Sequence, residues 1–345
     1  MLDRLAGNQR AKDLLRRLLE SRRVPGSLLF AGEEGIGKKL FALEVAKALN
    51  CRTPNGVEGC DTCAICRRMV KFNYPETSGT DDLKKIFWTD HPDVGMVEPP
   101  KRVLVVDQMR EIEREANYRP FEGLRRVFLI DEADKLNESS SNALLKTLEE
   151  PPETSHLILI TSRPAMLLPT IRSRCQTIRF APLSTEEIAT HLIKNKLASA
   201  SEARLRARFA AGSIGRALSG DPDLYKEQRQ AMLSVLNALA LTGDRVQLLR
   251  AAEGLNDARV KDEYEARLDI LETLIRDTLM LTVGGGEEGL TNSDLLPQLT
   301  QVAQKITSAR AVAWIEQIEE LREQLESNVN RKVATDALFL SMAGA

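Results

Sequence analysis

The chain has 345 residues, 43 % apolar and 28 % charged, with 48 Lys plus Arg against 50 Asp plus Glu. That length exceeds one compact domain, so two or three are expected, and the composition excludes a disordered or fibrous chain. The near-neutral balance demands no nucleic-acid partner, no apolar run reaches the ~20 residues of a membrane span, and Met1-Leu-Asp-Arg-Leu lacks the pattern of a signal peptide, so a cytoplasmic protein without membrane contact is expected.

Residues 27–31 read as a strand that runs into Gly32-Glu-Glu-Gly35-Ile-Gly37-Lys38-Lys39, with a helix expected over 38–49. Strand, glycine-rich loop and helix together form a phosphate loop. Its backbone N–H groups and the helix N-terminus face phosphate oxygens, and Lys38 reaches toward them. The position after the lysine normally carries Ser or Thr to ligate Mg²⁺. Here it is Lys39, which cannot ligate a cation. Hydrolysis at this loop is therefore not expected, while nucleotide binding without turnover stays open.

Cys51, Cys60, Cys63 and Cys66 follow, four of the five cysteines in the chain. Their spacing lets four thiolates converge on one tetrahedral Zn²⁺ with no open position, which implies a structural metal. Arg67-Arg68 beside them is read as a solvated pair rather than a base-reading element. Residues 71–100 read as an irregular insertion in which His91-Pro-Asp93 makes a turn.

Apolar runs at 103–106, 127–130 and 157–160 read as further strands, and their nearly continuous apolar character implies a parallel sheet buried on both faces, with a last strand expected at 177–180. Helices are expected over 108–117 and 138–150, the second stopped by Pro151-Pro152. Strand and helix in alternation predict a doubly wound α/β domain. The strand at 127–130 ends in Asp131-Glu132, where P-loop proteins hold Mg²⁺ and orient the attacking water. Asp134 is expected to cap the following turn. Thr161 ends the next strand, where a hydroxyl can sense a phosphate.

After Pro182 no strand is expected. Short helices around Gly212-Ser-Ile-Gly215 occupy 184–220, and helices run from about 224 onward. Leu268, Leu271, Ile275 and Leu279 form one apolar face, Val312, Ile315, Ile318, Leu321 and Leu325 another, and 284–289 is a glycine-rich break. The expected organisation is an α/β domain over 1–181 with the cysteine module at 51–66, a small helical lid over 182–222, and an all-α collar over 223–345.

Pro169-Thr-Ile-Arg-Ser-Arg-Cys-Gln176, Val105-Val-Asp-Gln-Met-Arg110, Tyr118-Arg-Pro120, Asn142-Ala-Leu-Leu-Lys-Thr-Leu-Glu-Glu-Pro-Pro152 and Phe180-Ala-Pro-Leu-Ser184 resemble the AAA+ clamp-loader gamma and delta-prime family of bacterial DNA polymerase III. The resemblance is clear over roughly 1–220 and holds in kind beyond. It implies that Arg174 of Ser-Arg-Cys is an arginine finger acting in a neighbouring subunit's ATP site, and that Arg216 is a sensor arginine. By the same resemblance Gly32, Gly35, Gly37, Lys38, Asp131 and Thr161 line a degenerate nucleotide site, Glu132 is catalytic only if this subunit is itself an ATPase, and the four cysteines hold zinc. The implied partners are gamma/tau and delta subunits, and through the complex the sliding clamp and primer-template DNA. Lys39 and the lack of a long extension after the collar resemble the delta-prime branch. Two alternatives stand beside it: a gamma/tau-type ATPase subunit, and a zinc-dependent nucleic-acid-binding regulator.

Overall fold

The computed structural model describes residues 2–74, 85–100, 102–210, 212–257, 263–286, 290–326 and 329–344. It forms two compact units, residues 1–219 and 220–345.

Among the described residues the first unit carries a six-stranded sheet, built from β1 (Ser27–Ala31), β2 (Phe87–Trp88), β3 (Val94–Val97), β4 (Arg126–Ile130), β5 (Ser155–Thr161) and β6 (Gln176–Arg179) in the order β2-β3-β4-β5-β1-β6. All neighbours are parallel except the edge pair β2–β3. The helices around it are α1 (Gln9–Glu20), α2 (Lys38–Asn50), α3 (Ala64–Arg68), α4 (Val106–Ala116), α5 (Glu138–Glu149) and α6 (Pro169–Arg172). The two faces of the sheet explain the continuous apolar runs. Leu28, Phe30, Val127, Leu129, Ile158 and Ile160 pack with Phe41, Ala42 and Val45 of α2. The alternate residues Leu29, Phe128, Ile130, Leu157 and Leu159 pack with Met109 and Ile112 of α4 and with Leu144 and Leu148 of α5. Side chains alternate along each strand, so a sheet covered on both sides needs an apolar residue at every position. This is the doubly wound α/β arrangement expected from the sequence.

Two expectations fail on the same side of the sheet. Residues 71–100 are not an irregular insertion throughout: Val94–Val97 is a full member of the parallel sheet, registered on Val127–Ile130. Conversely, 103–106 is not a strand. Leu104 makes only an isolated bridge to Leu136, and α4 begins at Val106, where Gln108 Oε1 accepts the Val105 N–H at 3.1 Å. Leu104 is apolar because it is a fully buried plug. Residues 75–84 of the expected insertion lie outside the described residues.

The same unit continues with α7 (Thr185–Lys194), α8 (Ala200–Phe209) and α9 (Ile214–Ser219). Ser184 and Glu187 form a capping box at the start of α7, and Leu183, Ile188, Leu192, Ala203 and Ile214 make a small core.

The second unit is helical: α10 (Pro222–Asn237), prolonged by a π-helical turn over Ala238–Thr242, then α11 (Arg245–Leu255), α12 (Tyr264–Thr282), α13 (Leu296–Ala303), α14 (Ser308–Glu326) and α15 (Arg331–Gly344). Leu268, Leu271 and Ile275 of α12 pack with Trp314, Ile318 and Leu321 of α14 and with Phe339 of α15. Val312, expected on the apolar face of α14, is exposed, while Ala311 and Trp314 take the buried positions. Of the expected break at 284–289, residues 284–286 follow α12 directly and 287–289 lie outside the described residues. Among the described residues no helix is long and apolar enough to cross a membrane.

Candidate functional site

The phosphate loop leaves β1 at Ala31 and enters α2 at Lys38. Gly35 and Gly37 both have left-handed backbone, φ 73° and 96°, a conformation that costs an L-residue energy and glycine almost none. Gly35 is further pinned by α9. A Cβ there would lie 2.1 Å from Ser213 Oγ, and the Gly215 N–H donates to the Gly35 carbonyl at 2.8 Å. The helix bearing Arg216 thus stands on the phosphate loop, with Arg216 itself exposed.

The two lysines of the loop are both engaged within the chain. Lys38 is 7 % exposed, and its Nζ donates to Gly32 O at 2.5 Å and to Glu33 O at 2.6 Å. Burial lowers its ammonium below the usual lysine value, against the opposing pull of Asp131 and Glu34. Lys39 Nζ lies 2.7 Å from Asp131 Oδ2. Burial works to lower this ammonium too, but the charge and hydrogen bond of Asp131 outweigh it and hold the group above its ordinary value. A lysine amine has three donors and no acceptor, so Lys39 cannot bind a metal while it is charged.

Beyond Asp131 the acidic segment turns sharply. Glu132 is exposed and left-handed at φ 47°, and it opens a short 3-10 turn over Ala133–Lys135. Asp134 is not a cap. Its Oδ1 accepts the Thr161 hydroxyl at 2.5 Å, and the helix that follows is capped by Asn137, whose side chain accepts the Ser140 N–H. Thr161 is buried, and its hydroxyl also accepts the Arg163 N–H. The structure therefore brings Gly32, Gly35, Gly37, Lys38, Asp131 and Thr161 together at the carboxyl ends of β1, β4 and β5. The acid expected to hold Mg²⁺ is paired with Lys39, and the Lys38 amine is bound to loop carbonyls. These residues do not fit a magnesium–nucleotide complex as arranged.

The cysteines present a different picture. The Sγ atoms of Cys51, Cys60, Cys63 and Cys66 all lie within 4.8 Å of one another, and Cys51 and Cys63 are 3.9 Å apart. Tetrahedral Zn–S bonds of ~2.3 Å put sulfurs about 3.8 Å apart, so the four side chains fit that ion. Backbone N–H groups of Cys60, Cys63 and Cys66 donate to Cys51, Cys60 and Cys63 sulfurs at 3.4, 3.2 and 3.4 Å. Thr53 and Thr62 hydroxyls, with the backbone, lower the Cys60 thiol to about 5. The cluster joins the end of α2 to the short helix α3, whose Ile65 is buried in the same core as α2.

Comparison with known proteins now bears on this geometry. Residues 7–184 match the family described as DNA polymerase III, delta subunit, and residues 224–342 match its C-terminal counterpart. The chain belongs to the DNA polymerase III delta-subunit family. It is 28 % identical over 333 residues to subunit delta' of Bacillus subtilis, covering 96 % of this chain and 95 % of that one. It is 30 % identical over 317 residues to subunit delta' of Escherichia coli, covering 91 % and 87 %. Subunit tau of Escherichia coli is 29 % identical over 342 residues, 92 % of this chain, but the chain spans only 50 % of tau. Membership makes the chain a clamp-loader subunit of DNA polymerase III, the function the motifs implied.

In this family member Arg174 stands apart from the phosphate-loop cluster. It sits just past α6, with its side chain 33 % exposed and bound to Glu149 Oε1 at 2.5 Å and to Thr170 O at 2.9 Å. Cys175, the fifth cysteine, is buried beside it, and burial pushes its thiol up to about 12.

Two residues important to this geometry lie in segments singled out above, but no local pattern records their partners. Glu149 is one. The other is Asp93, fully buried, which accepts the N–H groups of Phe121, Glu122 and Gly123 at 2.7, 2.9 and 2.8 Å. Asp93 lies in the expected turn, but it also fixes the loop before β4, the strand that carries Asp131.

Proposed function

We propose that this subunit works in the clamp loader without hydrolysing ATP itself and lends Arg174 as an arginine finger to a neighbouring ATPase subunit. The observation that carries the reading is the Lys39–Asp131 ion pair. In a P-loop ATPase the equivalent acid holds the magnesium that neutralises charge on the transferring phosphoryl group. An internal ammonium already satisfies it here. Lys38, the residue that would reach the phosphates, is likewise committed to Gly32 and Glu33 carbonyls. The chain retains the acids Asp131 and Glu132 of a gamma-type ATPase, but the ion pair opposes that role.

Arg174 is suited to act in trans. Its backbone is held between buried Ile171 and buried Cys175, yet its guanidinium reaches the surface. An arginine brought to a transferring phosphoryl group stabilises the charge that develops there. Gamma/tau and delta subunits are the proposed neighbours, the sliding clamp and primer-template DNA the shared substrates of the assembly, and the cytoplasm its location. We also assign Zn²⁺ to Cys51, Cys60, Cys63 and Cys66. Four thiolates leave the ion no open position, so its role is to hold the end of α2 and α3 in place.

The test is the steady-state ATPase of the assembled complex with and without this subunit, beside the subunit alone. The reading expects a silent lone chain and a stimulated complex. Turnover by the lone chain would transfer the assignment to a gamma-type ATPase.

A further inference from the structure

We propose that Glu149 is the positioning residue for Arg174: its carboxylate fixes the guanidinium so that the remaining donors face the neighbouring subunit. The inference rests on the arginine-finger reading above and adds the residue that aims the finger.

The two side chains come from backbones that cannot easily move. Glu149 is the last residue of α5 and follows Leu148, which is buried in the core beneath the sheet. Immediately after it, Pro151 packs on the entry to β1, where a Cβ on Gly26 would lie 2.4 Å from Pro151 Cγ. On the other side, Leu167, Ile171 and Cys175 belong to the same core as Leu148. The Arg174 N–H donates to Ile171 O at 3.1 Å and the Cys175 N–H to Arg172 O at 3.4 Å. Two anchored segments therefore bring carboxylate and guanidinium together at the surface.

The location of the acid is itself informative. A helix C-terminus carries partial negative charge and favours cations, yet α5 ends on Glu149 with Glu150 next. A carboxylate there is disfavoured unless a cation meets it, and Arg174 does so at 2.5 Å. An arginine offers five N–H donors in a rigid plane. Glu149 and Thr170 O engage the two Nη atoms, which orients the plane and leaves donors for phosphoryl oxygens. Glu149 is 48 % exposed, so an alteration there spares the core.

The test is the ATPase of the assembled complex containing wild type, Glu149→Gln, Glu149→Asp, Arg174→Ala or the Glu149→Gln/Arg174→Ala double variant, with assembly checked by size-exclusion chromatography. Glu149→Gln should lower kcat about fivefold with the KM for ATP unchanged, an effect of the size expected for misplacing one charged group. Glu149→Asp should recover part of the loss, and Glu149→Gln should cost nothing further once Arg174 is Ala. If Arg174→Ala lowers kcat and Glu149→Gln does not, or if the two losses multiply in the double variant, the positioning role is wrong and the finger stands. If Arg174→Ala itself changes nothing, the finger reading fails and this inference with it.

Discussion

Lys39 Nζ stands 2.7 Å from Asp131 Oδ2, an internal cation on the acid that holds magnesium in a working phosphate-loop protein. The departure from the motif is therefore more than a missing hydroxyl: the replacement residue pairs with the acid at the position where such proteins hold magnesium. Lys39→Thr should remove that cation and leave Asp131 available. Because the Lys39 side chain is 38 % exposed, the stability cost should stay within about 1 kcal/mol. Titration with a fluorescent ATP analogue should show Mg²⁺-dependent binding to Lys39→Thr at least about tenfold tighter than to wild type. Equal binding by the two proteins would mean that Lys38 and α9, not Lys39, close the site.

The cysteine cluster predicts a metal-dependent fold at the end of α2. Purified protein should carry one zinc per chain by elemental analysis, and Cys60→Ser should lose it. Unfolding in denaturant should be easier by at least about 2 kcal/mol in the metal-free protein, because Cys51 and Cys66 are buried and tie α3 to the core. Full occupancy in Cys60→Ser, or unchanged stability after chelation, would count against a four-thiolate site.

Asp93 tests the buried support beneath β4. It is fully buried, accepts three backbone N–H groups and lies 3.7 Å from the Nε of buried Arg126. Asp93→Ala should cost about 3–5 kcal/mol, since it leaves a buried cation short of one partner and three donors unmet. Asp93→Asn, which keeps an acceptor, should cost less. Equilibrium denaturation of the two variants makes the comparison, and equal losses would show that charge rather than hydrogen-bond capacity matters.

Acid sensitivity follows from the histidines. Burial lowers His91, His156 and His191 below the usual value near 6.5, with Asp93 opposing it at His91 and the Pro25 carbonyl opposing it at His156. A histidine whose pKa is lower when folded binds fewer protons in the native state. Stability is then unaffected well above about 6.5 and falls as pH drops below that value. His156 Nδ1 lies 3.0 Å from Pro25 O, while its Nε2 is buried without a partner among the described residues. His156→Gln should flatten the stability loss as pH falls from about 6.5 to about 5 in a denaturant series. An unchanged slope would assign the loss to other groups.

The legible part of the fold is the part whose local pattern has a single physical cause. β1, β4 and β5 each carry an unbroken apolar run, at 28–31, 127–130 and 157–160, because both faces are buried there, and Lys38 opens α2 behind a glycine turn that few other structures require. β3 is harder to read. Val94-Gly-Met-Val97 is short and contains a glycine, needed because a Cβ at Gly95 would lie 2.5 Å from Ile86. The run 103–106 misleads for the opposite reason, since Leu104 is buried without joining the sheet.

The site divides in the same way. The mismatch at Lys39 is visible in the motif, but its partner is not, because Asp131 reaches it only through the strand order. Asp134 and Thr161 lie 27 residues apart and meet because β4 and β5 are neighbours. Glu149 and Arg174, 25 residues apart, meet through the packing of α5 against α6. No local pattern records any of these pairs.

The central claim is that this subunit contributes to ATP hydrolysis through Arg174 and not through its own acidic motif. The most direct measurement compares Arg174→Ala with Glu132→Gln, both on exposed or partly exposed positions, in the ATPase of the fully assembled complex. The account predicts that Arg174→Ala lowers kcat by about tenfold or more while Glu132→Gln leaves it unchanged. A loss with Glu132→Gln and none with Arg174→Ala would contradict it and make this chain a hydrolysing subunit.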